Sequence, residues 1–105
     1  MVNNLNSLSF GDHLRQLREK NNFTLRGLAT EINIDSSLIA KIERGERQPT
    51  RDQIKIISEF FKINENNLLL ENLSDVFAYK VIESDLNIEV LKMAEQKIEY
   101  FKKKK

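Results

Sequence analysis

Cysteine is absent from the 105-residue chain, which excludes disulfides and thiolate metal sites and fits a reducing cytosol. Proline occurs once and glycine three times, leaving little material for hairpin turns. No stretch alternates apolar and polar residues at period two, so strands are not expected. No apolar run approaches the roughly 20 residues that a membrane helix needs. The opening Met1-Val2-Asn3-Asn4 has no signal-peptide character. No membrane contact and a cytoplasmic location are therefore expected. Histidine occurs once, at His13, with no nucleophile or carboxylate constellation beside it, and reads as a surface residue. Paired acids, metal-ligand spacings and glycine-rich phosphate loops are missing too. No catalytic residue, metal or cofactor is expected, and the chain does not read as an enzyme.

What is present is charge, nearly balanced but unevenly placed. Seventeen Lys and Arg against sixteen Asp and Glu give a formal net charge of +1. Residues 52 to 100 carry ten acids and five bases, whereas residues 36 to 51 carry four bases and two acids, and the last four residues are all Lys. Any nucleic-acid footprint must therefore be local, made by a few well-placed cations. The terminal lysines suit a helix C-terminus by the macrodipole, as a solvated end or as a further contact.

The chain reads as successive helices. Ser9 and Asp12 resemble a capping box opening a first helix, with Phe10, Leu14 and Leu17 inward and Asn21-Asn22 as its end. Thr24 caps a second helix to about Ile32, with Leu28, Ala29 and Ile32 inward. Asn33 then makes a tight turn, Ile34 plugs the core, and Asp35 caps a third helix ending at Gly45. Pro49 and Thr50 open a fourth, where Gln53 completes a Thr-x-x-Gln box and Ile54, Ile57 and Phe61 face inward. Asn64 caps a fifth helix to about Ile82, apolar on more than one side and so expected to be buried on more than one side. "ESDLN" breaks it. A sixth helix from about Ile88 carries a packing stripe of Leu91, Ala94, Ile98 and Phe101.

Two short helices joined by a tight turn, the second with a sparse polar outer face, describe a helix-turn-helix. Small Ala29 allows the third helix to cross the second. Ile34, Ile39 and Ile42 anchor that helix from beneath and leave Ser36, Ser37, Ala40, Lys41 and Arg44 for close approach to a major groove. The segment "LRQLREKNNFTLRGLATEINIDSSLIAKIERGERQPT" resembles the Xre/Cro-type helix-turn-helix of phage repressors and of restriction–modification controller proteins. The resemblance covers about residues 9 to 70, and "KIERGERQPT" is its most specific part. It implies an all-α, lambda-repressor-like five-helix domain, here extended by a C-terminal helix, that binds double-stranded DNA. By position it implies base or phosphate contacts at Ser36 and Ser37, a phosphate or thymine-methyl contact at Leu38, base contact by Lys41, and phosphate grip by Arg44 and Arg47. Thr24 and Arg51 complete the DNA-facing set. Glu43 is implied to tie the helix end to an Arg. Leu25 departs from the family's frequent Gln, Asn33 from its frequent Gly, and Gly27 from a usual helix former.

Other readings stand beside these. Arg44, Arg47 and Arg51 also read as a solvated charged face, and Ser36 and Ser37 as extra caps. The apolar surplus on the last two helices points to a second copy, with Ile56, Phe60, Phe77, Leu91, Ile98 and Phe101 as interface residues; capping the chain's own core is the other use for them. "ENNLLL" and "VLKMAEQKIEY" also resemble the tail of controller-like regulators found beside DNA methyltransferases. The expected organisation is a flexible residue 1–8 segment, a DNA-binding domain over 9–70 and a helical dimerisation extension over 71–105. The expected function is a homodimeric transcriptional regulator on a palindromic operator, controlling a restriction–modification operon. An antitoxin-type autorepressor, with a protein partner, and a helical protein-interaction module are the alternatives.

Overall fold

Capping chemistry sets most of the helix boundaries. The computed structural model describes residues 8–104, within which all regular structure is helical. The helices are α1 (Phe10–Lys20), α2 (Leu25–Ile32), α3 (Ser36–Glu43), α4 (Arg51–Phe61), α5 (Glu65–Ser84) and α6 (Glu89–Lys104). Positions 1–7 of the expected flexible N-terminus and Lys105 of the lysine tail lie outside the described residues. The hydroxyls of Ser9, Thr24 and Thr50 each accept from the backbone N–H three residues on, satisfying donors that the first helical turn leaves unpaired. Thr50 and Gln53 form the full reciprocal box, while at Ser9 the reciprocal half is missing. Asp35 is the N-cap of α3 without a side-chain cap bond, because its carboxylate instead accepts from Ser37 Oγ at 2.9 Å. α3 ends two residues before the expected Gly45, with Arg44 as its C-cap and Gly45 at φ 78°.

The chain divides into two compact units after Asp75. The first has its core in Phe10, Leu14, Leu28, Ile32, Ile34, Ile39, Ile42, Ile54, Ile57 and Leu68. Each such side chain contributes about 1.5–3 kcal/mol on burial. Ala29 and Phe61, expected inward, are half-buried at the edge of this core. α1 crosses α3 so closely that a Cβ on Gly11 would clash with the carbonyl oxygen of Ile42 and lie 2.6 Å from that of Glu43. Gly11 is therefore needed for its lack of a side chain, a role that its sequence context does not announce.

α1 is also tied to α5. The backbone N–H of Phe10, unpaired at the helix start, donates to Asp75 Oδ2 at 2.8 Å. His13 corrects the sequence reading: its Nδ1 lies 2.9 Å from the Glu71 carboxylate, and both side chains are about three-quarters buried. The acid is 58 residues away in sequence, which is why no constellation was visible there.

The second unit runs from Val76 and holds the end of α5 and all of α6. The expectation that α5 is buried on more than one side is not met within the single chain. Leu68 and Asn72 are its buried residues, and they form one stripe four residues apart. Leu70, Leu73 and Phe77 lie off that stripe and are exposed, and Tyr79 and Ile82, further along the helix in the second unit, are exposed as well. Asp85, at φ 58°, ends α5 in the left-handed conformation. α6 buries no residue.

Candidate nucleic-acid interface

The geometry of the third helix follows from what lies beneath it. Asn33 takes the left-handed conformation, φ 56° and ψ 43°, and turns the chain between α2 and α3 within a few residues. Ile34, Ile39 and Ile42 are buried under α3. The carboxylate of Glu43, at the last turn, receives two hydrogen bonds from Arg18 of α1, Nε at 2.7 Å and Nη2 at 3.1 Å. A third guanidinium nitrogen, Nη1, donates to the Phe23 carbonyl at 3.0 Å. The pair is largely dry, with 12% and 6% of the two side chains exposed. The hydrogen bond to Glu43 raises the Arg18 pKa above its ordinary value despite burial. A forked, buried pair of this kind fixes orientation, since breaking either side leaves an unpaired charge. Glu43 thus does the tying that the resemblance implied, with Arg18 as its partner.

The opposite side of α3 is open. Ser37, Lys41 and Arg44 are exposed, while Ser36, Leu38 and Ala40 are half-buried. Arg47 follows in the loop and Arg51 opens α4, both exposed. Among the described residues Lys41, Arg47 and Arg51 have no ion-pair partner. Arg44 does: its guanidinium binds Glu46 at 2.7 Å. That hydrogen bond raises the Arg44 pKa and holds the Glu46 carboxyl below the usual carboxylate range. Thr24 keeps its hydroxyl on the Gly27 N–H at 2.9 Å. A Cβ at Gly27 would lie 3.1 Å from that hydroxyl, so the glycine gives the cap room. Leu25 packs against the core and offers no donor where the family often has Gln.

The residues expected at a dimer interface fall in two groups. Ile56 and Phe60 are on α4, where Phe60 is half-buried between Phe23, 5.6 Å away, and Phe61, 5.0 Å away. Phe77, Leu91, Ile98 and Phe101 belong to the second unit and are exposed, Phe101 by 56%. Phe77, Leu91 and Ile98 line one shallow groove with Ile88 and Ala94.

A locked helix with a polar outer face, a left-handed turn before it and free cations after it define a helix-turn-helix of the DNA-binding class. The chain belongs to that class as an Xre-type regulator: the family described as a helix-turn-helix domain matches residues 11–73. Control protein C.BamHI of Bacillus amyloliquefaciens is 37% identical over 70 residues, which are 66% of this chain and 85% of that protein. HTH-type transcriptional repressor RghR of Bacillus subtilis (strain 168) is 39% identical over 62 residues, 58% of this chain and 46% of that one. HTH-type transcriptional activator BcrR of Enterococcus faecalis is 34% identical over 62 residues, 59% of this chain and 30% of that one. The matched region thus spans less than half of RghR and of BcrR. No solved structure matches the chain.

Proposed function

We propose that the chain is a homodimeric transcriptional regulator that binds a palindromic operator in double-stranded DNA, with α3 in the major groove, and that it controls a restriction–modification operon. The observation that carries the reading is the α3 arrangement: Ile39, Ile42 and the Arg18–Glu43 pair hold one side while Lys41 stands exposed on the other, and the exposed cations Arg47 and Arg51 follow in the next loop and at the start of α4. Ser36, Ser37, Leu38 and Lys41 approach the bases in this reading. Thr24, Arg44, Arg47 and Arg51 serve the phosphates, with Arg44 first leaving Glu46. The likeness to control protein C.BamHI over 85% of its length favours the restriction–modification role over the antitoxin one. A binding function of this kind needs no catalytic group, and a cytoplasmic location follows from it.

The exposed apolar side chains of the second unit support the dimer. α6 is a regular helix with a stripe of Leu91, Ala94, Ile98 and Phe101 and no buried residue. Burying such a face against a second copy suits an interface of about 800 Å² per partner, the usual size for a stable complex. The two recognition helices then read half-sites about 34–36 Å apart, one turn of DNA.

Selection from randomised duplexes tests the reading. The expected product is an inverted repeat with half-sites one turn apart, bound by two chains in sedimentation. Selection of a single, non-repeated site by one chain would overturn the homodimer. Recovery of no preferred sequence would overturn the operator.

A further inference from the structure

α5 carries a polar side chain where its packing stripe calls for an apolar one. Asn72 lies one turn after core residue Leu68 and is 9% exposed. A buried carboxamide costs free energy unless it is hydrogen-bonded. Asn72 Nδ2 donates to Gln48 Oε1 at 2.6 Å, across 24 residues of sequence. Gln48 lies in the segment between α3 and α4, after Arg47 and before the buried Pro49, and is itself exposed.

The bond orients the Gln48 side chain. Its oxygen is occupied by the amide beneath it. Its nitrogen, with two N–H donors, has no hydrogen-bond acceptor among the described residues. An anchored donor beside Arg47, and three residues before Arg51, suits an anionic oxygen. DNA phosphates accept from glutamine side chains as well as from cations. We propose that Gln48 contacts a backbone phosphate of DNA and that Asn72 is its positioning residue. The inference rests on the DNA-binding reading of this face.

The full chain, titrated by fluorescence anisotropy against a duplex of random sequence over a range of salt, separates the two ideas. Loss of a cation lowers the salt slope, whereas loss of a neutral donor does not. Arg47→Ala should weaken binding and flatten the log–log slope by about 0.9. Gln48→Ala should weaken it about 2- to 10-fold with the slope unchanged. Asn72→Leu should give the same loss without a lower Tm, and the double variant Gln48→Ala/Asn72→Leu should bind no more weakly than Gln48→Ala. A wild-type chain that does not bind duplex DNA overturns the DNA-binding reading itself. Weakening by Arg47→Ala with wild-type affinity in Gln48→Ala overturns the Gln48 contact alone, and losses that multiply in the double variant overturn the positioning role. If Asn72→Leu does not fold, Asn72→Asp serves instead: its carboxylate draws the Gln48 N–H groups inward, so affinity should fall, and unchanged affinity overturns the proposal.

Discussion

At the scale of single residues, two positions have effects opposite to what their local sequence suggests. Replacing a helical glycine by alanine ordinarily stabilises a helix by about 1 kcal/mol. Gly11→Ala should do the reverse, because the new methyl meets the carbonyls of Ile42 and Glu43 rather than a flexible side chain. Overpacking against backbone costs about 1–3 kcal/mol. Thermal denaturation should show a Tm lower by several degrees, and an unchanged or higher Tm would mean that α1 and α3 separate at little cost. Glu46→Gln acts on DNA affinity instead. Glu46 holds Arg44 in an exposed pair that must break before Arg44 reaches a phosphate, so its neutralisation should raise affinity for duplex DNA. Unchanged affinity in the variant would remove Arg44 from the phosphate contacts. Since the hydrogen bond from Arg44 depresses the Glu46 pKa, the carboxylate stays charged and paired until pH falls below the usual carboxylate range.

Helices were legible in the sequence to the extent that local chemistry defines them. Thr24, Thr50 with Gln53, and Asn64 mark ends whose partners lie three residues away, and Asn33 marks one by its own left-handed backbone, so local sequence reveals them. The same is true of the inward positions Ile34, Ile39 and Ile42, which define the buried side of α3. What was not legible joins distant residues: Gly11 against the end of α3, His13 with Glu71, Asn72 with Gln48. No periodicity encodes such pairs, because each partner fits its own helix equally well without the other. Apolar count is a poor guide to α5, whose apolar residues outnumber those on the one stripe that meets the core. The pairing of α1 with α3 gives the prediction at this scale. Arg18→Met should destabilise the chain by about 3–5 kcal/mol, since it leaves Glu43 charged and buried. Adding Glu43→Leu should restore much of that loss, and chemical denaturation of the two variants compares them directly. A double variant less stable than the single one would show that the pair contributes more than mutual neutralisation.

For the whole molecule, the division after Asp75 separates a unit with a complete core from one whose helix α6 buries nothing. Deleting residues from Ile88 onward should therefore leave the helix-turn-helix folded, as circular dichroism would show. If the deleted stripe pairs with a second copy, the truncated chain should sediment as a monomer and lose orders of magnitude in operator affinity. A folded truncation that remains a tight dimer would move the interface to α5 and the Ile56–Phe60 side of α4. The uncovered state of α6 also bears on how long the protein lasts. Since none of the 16 residues of α6 is buried in the single chain, little packing beyond the shallow groove with Phe77 opposes its local opening, which would offer its backbone to proteases. Whatever covers that face lowers the open population and slows cleavage in proportion. If a second copy covers it, as proposed, the lifetime of the chain is linked to its association.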